Sequence, residues 1–586
     1  MSAQIQSTML SILQFTPPGT TLPVELFPDS MANPTESGSE SKFPPTPPSV
    51  STSEDPSYQF GVLEISTPDK EALPHTWDVK FDVDCSGSMS DTCMDGRTKL
   101  QHIKHVLANI LRLFASYGHI TFNVSIDAFD DYISQIFDFV QITPENVEQY
   151  IAKINGIHPR GQTNLVLPLE NTKKQMTERS TAFPQNKRLH FLLTDGNDTC
   201  SNSSKTIVNA VDAQYDTIVF GFGQDHDSKT LMDIGDKPFC EYAFIAELEK
   251  AGIVYGEYIH NVLYRYVEGM TVLLWDAEIY CWKTNSWATT LTIGNLASGL
   301  KKSYYVRTTK PLETVCGEIH GRQCTLDDEY CVFVKLADFD TMPHLIGADG
   351  EIDANEFKEH ALRFKTLELL YEVAHLEDDE ATNEDEARLH NGFLPGWVSP
   401  AKKSEKYYNK VNELKEKILT LYRQIRDYKV ATYGENEPNT FLAALMDDLY
   451  IARRSFDHNN GRLYTMARQR TQGTQNVYTP SNIDDMGYNN QPTMTLPTWP
   501  LGDDNLDEES QLLPTLSIHP NNTSTVMPPP TPFPNRPGAC TATFAGDETD
   551  ILSHNISCGT QDDYASPRML EVIRSTSDAA GDDDLV

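Results

Sequence analysis

Three short, widely separated segments each set oxygen-bearing side chains at the end of an apolar run or the start of a helical one. Together they constrain this chain more than any other feature. The first follows Trp77-Asp78-Val79-Lys80-Phe81-Asp82-Val83-Asp84, where Trp77, Val79, Phe81 and Val83 alternate at the period of two that a strand requires. It continues as Asp84-Cys85-Ser86-Gly87-Ser88. From 98 to about 115, Ile103, Val106, Leu107, Ile110, Leu111 and Phe114 then fall at helical spacing. The second segment is Gly161-Gln162-Thr163-Asn164, ahead of a helical pattern over 165–176. The third is Thr194-Asp195-Gly196, which closes the run Leu189-His190-Phe191-Leu192-Leu193. Further strands are expected over 120–126 and 133–137 and a helix over 147–154. Strands alternating with helices predict an α/β, doubly wound, Rossmann-like sheet, which places ligands beyond the carboxyl ends of its strands.

Asp84, Ser86, Ser88, Thr163 and Asp195 offer carboxylate and hydroxyl oxygens with no sulfur or imidazole. That is the ligand chemistry of a hard cation such as Mg²⁺. A single Asp-x-Ser step occurs in many loops, where its ordinary role is to cap a helix. All five positions in this order and context resemble the metal-ion-dependent adhesion site (MIDAS) of von Willebrand factor A (vWA) domains. The resemblance implies that Ser86, Ser88 and Thr163 are hydroxyl ligands and that Asp84 and Asp195 bind directly or through water. It implies Mg²⁺, with Mn²⁺ or Ca²⁺ as alternatives. It also implies an open coordination position for the Asp or Glu of a partner protein, and a site that catalyses nothing.

At 586 residues the chain is too long for one core, and two or three domains with tails are expected. Its 84 acidic against 47 basic residues give a net charge of −37, which argues against nucleic acid and membrane partners. The local exception, Arg453, Arg454, Arg462, Arg468 and Arg470, reads as a solvated helix face. The N-terminus lacks the basic and apolar regions of a signal peptide, and no apolar run reaches membrane-spanning length. The ten cysteines are scattered, without a C-x-x-C pair. The expectation is a reduced, intracellular, cytoplasmic protein.

Residues 1–58, rich in Pro, Ser and Thr and including Phe43-Pro44-Pro45-Thr46-Pro47-Pro48, read as a disordered tail. Residues 59–265 make the vWA domain. Residues 266–345 carry short β-rich stretches separated by turn residues, as in a small β-sandwich. Residues 346–478 are helical. Tyr407, Val411, Leu414, Ile418, Leu421, Ile425 and Tyr428 step by four and three, suiting a helical hairpin or a short coiled coil. Residues 479–586 read as a disordered acidic tail. Beyond the vWA domain, three phrases carry a second resemblance: Gly221-Phe222-Gly223-Gln224-Asp225-His226-Asp227, Ile293-Gly294-Asn295-Leu296 with Tyr304-Tyr305-Val306-Arg307, and Leu445-Met446-Asp447-Asp448-Leu449 with Gly461-Arg462-Leu463-Tyr464. They resemble plant vWA proteins of the WAVY GROWTH type, which are RING ubiquitin ligases. The paired Cys/His array of a RING is missing here. What the resemblance implies is therefore a partner-binding scaffold, and a ubiquitin-pathway role only alongside a separate catalytic subunit.

Weaker candidates remain. Cys316, His320, Cys324 and Cys331 match no zinc spacing, and buried thiols in a β-domain are the commoner explanation. Asp349 to Phe357 resembles half an EF-hand loop, but Leu345 and Gly347 stand where acidic ligands belong. Cys85 and Cys93 flank the metal loop without a base fixed nearby by the sequence. Three functions are thus compared. The favoured one is a non-enzymatic, metal-dependent protein-interaction module, followed by an adaptor or scaffold in ubiquitin transfer. The third is a metal-assisted hydrolase, which lacks an identified general base.

Overall fold

The computed structural model describes residues 10–16, 20–26, 58–324 (without 94, 213, 224, 225 and 247), 354–376, 405–435, 439–457, 461–480 and 562–577, together with the backbone of 330–335. In chain order, β1 (Leu10–Phe15) and β2 (Gln59–Ser66) precede β3 (Thr76–Asp84), α1 (Lys99–Ser116), β4 (Thr121–Phe129) and β5 (Ile133–Gln141). Then come α2 (Val147–Asn155), α3 (Val166–Ala182), β6 (Lys187–Thr194), α4 (Ser204–Ala210), β7 (Asp216–Phe222), α5 (Ser228–Gly235), β8 (Cys240–Ile245) and α6 (Ala251–Leu263).

The strands β5-β4-β3-β6-β7-β8 form one sheet in that order, parallel throughout except for the antiparallel β4–β5 edge pair. Two separate apolar clusters cover its two faces. Residues of α1, α2 and α6 pack on Val79, Phe81 and Val83, while residues of α3, α4 and α5 pack on Phe129, Leu192 and Val219. This is the doubly wound, Rossmann-like sheet expected from the alternation of strands and helices. The α1 start follows from local chemistry: Thr98 and Gln101 form a reciprocal capping box that satisfies two orphan amides.

Seven further strands follow: β9 (Arg265–Trp275), β10 (Glu278–Cys281), β11 (Ser286–Ala288), β12 (Thr290–Ala297), β13 (Lys301–Thr308), β14 (Cys316–Gln323) and β15 (Tyr330–Lys335). They build two antiparallel sheets, β1-β2-β13-β10-β11 and β12-β9-β14-β15. Leu13, Phe15, Leu63 and Ile65 of the first share a core with Met270, Val272, Leu274 and Ile319 of the second. Here the structure corrects the sequence reading twice. Gln59–Ser66, assigned to the A domain, pairs along its whole length with β13. Leu10–Phe15, assigned to a coreless tail, pairs with β2. The α/β unit is thus inserted between two strands of the sandwich. Six residues, four of them apolar without strict alternation, are too few to stand out in a Pro/Ser/Thr-rich context, and they gain order by adding to a sheet edge.

Among the described residues, α7 (Ala354–Ala374), α8 (Glu405–Tyr433), α9 (Thr440–Arg454) and α10 (Gly461–Thr474) come next. Their buried residues, among them Phe364, Leu414, Ile418, Leu445, Leu449 and Tyr464, form one cluster. The heptad-like stepping lies on α8, whose Leu414, Ile418, Leu421 and Ile425 face this intramolecular core, and α8 packs on α9, the next helix, and on α7. A last helix, α11 (Pro567–Ser577), buries Met569, Val572, Ile573 and Thr576 against α6 and α1, correcting the expectation of a tail without structure at that point. The Pro cluster 43–48, the partial EF-hand loop up to 353 and most of 479–586 lie outside the described residues. No helix among the described residues is long and apolar enough to cross a membrane.

Candidate functional site

β3 ends on Asp84, which is fully buried, and the chain turns at Ser86 into a short 3₁₀ turn, Gly87–Ser90, before α1. β6, the neighbouring parallel strand, ends on Thr194, so Asp195 emerges at the same edge. The loop carrying Thr163 joins them from before α3. Gly161 adopts φ +60° and its carbonyl accepts the Gly87 amide at 3.3 Å. A side chain there would run into the Asp130 and Asp131 carboxylates, and the positive φ is one that glycine adopts without strain.

The structure places all five expected residues together. The Ser86 and Ser88 hydroxyls are 3.1 Å apart, and Ser88 Oγ donates to Asp195 Oδ1 at 2.7 Å. Asp84 is held through both oxygens: Oδ1 accepts the Ser86 amide at 2.8 Å, and Oδ2 accepts the Thr194 hydroxyl at 2.7 Å. Thr163 Oγ1 and Ser88 Oγ lie 3.5 and 4.0 Å from where a Gly196 side chain would begin, so the missing side chain keeps open a cradle lined by hydroxyls. Burial pushes the Asp84 carboxyl up to about 6, opposed by the Thr194 and Ser86 hydrogen bonds and reinforced by the nearby Asp195 charge. Two buried carboxylates beside three hydroxyls suit a hard cation held by oxygen donors.

Several residues that complete the site escaped the sequence reading. Thr199 Oγ1 accepts the Thr163 amide at 2.8 Å, and the Thr163 carbonyl accepts the Thr199 amide at 2.8 Å, fixing the threonine loop to the aspartate loop. Asp198 reinforces that join by accepting the Leu165 amide at 3.0 Å. Arg160 pairs with Asp130 at 3.0 Å, which steadies the turn at Gly161. Lys99, at the start of α1, reaches Asp195 Oδ2 at 2.7 Å. Its only sequence signal is its place one residue after the helix cap.

The weaker candidates separate from this site. Cys85 is buried, donates to the Phe129 carbonyl, and is pushed up to about 12 by burial, which removes it as a nucleophile. His320 lies 2.9 Å from Glu318, and burial pushes Cys324 up to about 12. Among the described residues, no group of three or more His, Cys, Asp or Glu side chains is gathered to hold a metal. In the His226 region, Asp227 caps α5 through the Thr230 amide at 3.0 Å.

A family model for the von Willebrand factor type A domain matches residues 78–254. The chain contains a vWA domain. The matched span runs from the third residue of β3 into α6, so it takes in all six strands of the sheet except Thr76 and Trp77, and all three loops of the candidate site. Among solved structures, a von Willebrand factor type A protein from Catenulispora acidiphila is similar at 14% identity, covering 54% of this chain and 78% of that one with a TM-score of 0.36. The ArnB paralog VWA2 from Sulfolobus acidocaldarius is similar at 12% identity over 80% of this chain and 99% of that one, with a TM-score of 0.37. Proximal thread matrix protein 1 from the mussel byssus, described with a zinc-occupied MIDAS motif, is similar at 18% identity, covering 30% of this chain and 44% of that one with a TM-score of 0.25. Among curated proteins, none matches the sequence.

Proposed function

We propose that the vWA domain is a metal-dependent protein-interaction module in which Asp84, Ser86, Ser88, Thr163 and Asp195 hold a divalent cation and receive an Asp or Glu of a partner protein. Mg²⁺ fits the all-oxygen donor set, with Mn²⁺ or Ca²⁺ as alternatives. When bound, the cation supplies residual positive charge and an open position for a carboxylate. The observation that carries this reading is the convergence of three hydroxyls and two carboxylates from three loops, with Ser88 bridging Ser86 and Asp195. Thr194 and the Ser86 amide orient Asp84 from behind, while Thr199 and Asp198 hold the Thr163 loop in register.

The same reading makes the sandwich and helices a scaffold, and the net charge of −37 argues against nucleic acid and anionic membranes as partners. It sets the protein in the cytoplasm, where cysteines such as Cys85, Cys200 and Cys281 stay thiols. A ubiquitin-pathway partner is an outcome of the test below rather than a premise of it.

The test is a paired pull-down of wild type and Ser86→Ala/Ser88→Ala, each in Mg²⁺ and in EDTA, read by mass spectrometry. Far-UV circular dichroism is recorded in parallel. Partners lost on both treatments with an unchanged spectrum are expected. A partner list indifferent to both treatments would move function to the sandwich, the helices or the terminal segments. Recovery of ubiquitin-loading enzymes in the metal-dependent fraction would select the adaptor role.

A further inference from the structure

Among the described residues, Lys99 is the cationic side chain that contacts the five-residue set. Its Nζ lies 2.7 Å from Asp195 Oδ2 and 3.5 Å from Asp91 Oδ2. The two acceptors differ in kind: the Asp195 side chain is fully buried, whereas that of Asp91 is 63% exposed. With Ser88 on Oδ1 and Lys99 on Oδ2, both oxygens of Asp195 are engaged. The backbone at Lys99 is fixed by the capping box at Thr98 and by its own amide, which donates to the Asp91 carbonyl at 3.0 Å. Only the side chain is free to change place, and the nearest second anion is already beside it.

Resting on the proposed metal-binding role, we infer that Lys99 is a tethered cation that compensates Asp195 when no metal is held and passes to Asp91 when a divalent cation enters. An ammonium group and a divalent ion a few ångströms apart in a buried site repel strongly, so both cannot sit against Asp195 at little cost. Without metal, Asp84, Asp195 and Lys99 sum to −1; with a divalent cation bound and Lys99 paired to Asp91, Asp84, Asp195 and the cation sum to zero. The lysine therefore competes with the metal for Asp195 and weakens its binding, and metal entry is coupled to the position of one side chain at the rim of the site.

The experiment uses the full chain and Mn²⁺. Wild type, Lys99→Met and Asp195→Ala are titrated by calorimetry. Lys99 reactivity to reductive methylation is followed in wild type and in Asp195→Ala by mass spectrometry, with and without Mn²⁺. Expected are a Kd for Mn²⁺ at least tenfold lower in Lys99→Met than in wild type, and methylation of wild-type Lys99 that rises on adding Mn²⁺. In Asp195→Ala, methylation should be high without metal. Wild-type binding with equal or weaker binding by Lys99→Met overturns the inference while leaving the metal site standing. No Mn²⁺ binding by wild type or Lys99→Met overturns both. Should Lys99→Met not fold, a wild-type methylation level indifferent to Mn²⁺ overturns the inference alone.

Discussion

At the scale of the residue, β3 is the strand that sequence patterning describes least completely. Its alternation of Trp77, Val79, Phe81 and Val83 with polar residues suggests one wet face, yet Asp78, Lys80, Asp82 and Asp84 are all fully buried. Helices cover both faces of the sheet, and each polar side chain has found a partner. Arg179 holds Asp78 at 2.6 Å, Asp127 holds Lys80 at 2.6 Å, and Thr172 and His190 reach Asp82 at 2.6 and 3.0 Å. Removing one member of a buried pair leaves the other uncompensated. Lys80→Met should therefore cost about 3–5 kcal/mol in urea unfolding, and Lys80→Met/Asp127→Leu should recover most of that loss. A cost below 1 kcal/mol for the single variant would show that water reaches Asp127. A second residue-scale prediction concerns acid stability. His226 sits between the Gly223 carbonyl and the Tyr242 hydroxyl, and burial pushes it down to about 4 from its ordinary 6.5. Above pH 6.5 it is neutral in both folded and unfolded chains. As pH falls from 6.5 towards 4 the unfolded chain takes up the proton and the folded one does not, so stability drops. The loss is about 2 kcal/mol at pH 5. Urea midpoints at pH 7 and 5 should show that fall, and His226→Gln should remove about that share of it.

At the scale of the element, α11 carries the clearest structural prediction. It packs on α6 over Gly252 and Gly256, one turn apart. A side chain at Gly256 would meet Thr576 Oγ1 at 2.5 Å and Ile573 Cα at 2.6 Å, and one at Gly252 would meet the Ser577 backbone at 2.7 Å. Replacing a mid-helix glycine ordinarily favours the helix by up to about 1 kcal/mol. Here overpacking costs about 1–3 kcal/mol against backbone that cannot yield, so the second effect wins. Because α11 can leave without opening the sheet, Gly256→Leu should abolish amide protection of 567–577 in hydrogen exchange while β3 and β6 stay protected. Protection retained at 567–577 would mean that α6 itself has shifted. Met569, Val572 and Ile573 fall at helical spacing, which the reading of 479–586 as a disordered tail passed over; eleven residues do not hold a helix in water, and only the groove over two glycines orders them.

At the scale of the whole molecule, residues just after α10 join the three units. Lys302 of β13 donates to the carbonyls of Thr474 and Gln475, and the Gln475 side chain brackets the Ser303 backbone at 2.8 and 3.0 Å. Glu257 of α6 accepts the amides of Val477 and Tyr478 at 2.9 and 3.3 Å, and the Tyr478 hydroxyl accepts the Ala246 amide at 3.1 Å. The five arginines read as a solvated face are partly drawn inside. Arg468 is fully buried on Asp448 at 2.8 Å, and Asp448 also accepts from Gln472. Glu257→Ala leaves two buried amides without acceptors, at about 1–3 kcal/mol each. In scanning calorimetry the wild type should melt in one main transition, and Glu257→Ala should release an earlier one as the helices separate from the vWA domain. A uniform downward shift without splitting would show that other contacts suffice to keep the units cooperative.

By itself the sequence determined what is local and periodic. The elements around β3 to β6, the capped start of α1 and the five oxygen-bearing residues at strand ends all follow from spacing and side-chain chemistry over a few residues. The tertiary structure alone decided what depends on meeting distant chain. β2 pairs with a strand from beyond residue 300 and β1 adds to β2, the polar residues of β3 are buried with partners up to 110 positions away, and α11 returns to α6. Lys99 was placed on Asp195 by the fold, 96 residues along the chain. The physical reason is that hydrogen bonding and side-chain period are set by neighbours in sequence. Burial, charge compensation and close helix approach are instead set by which surfaces meet, and no local pattern records them.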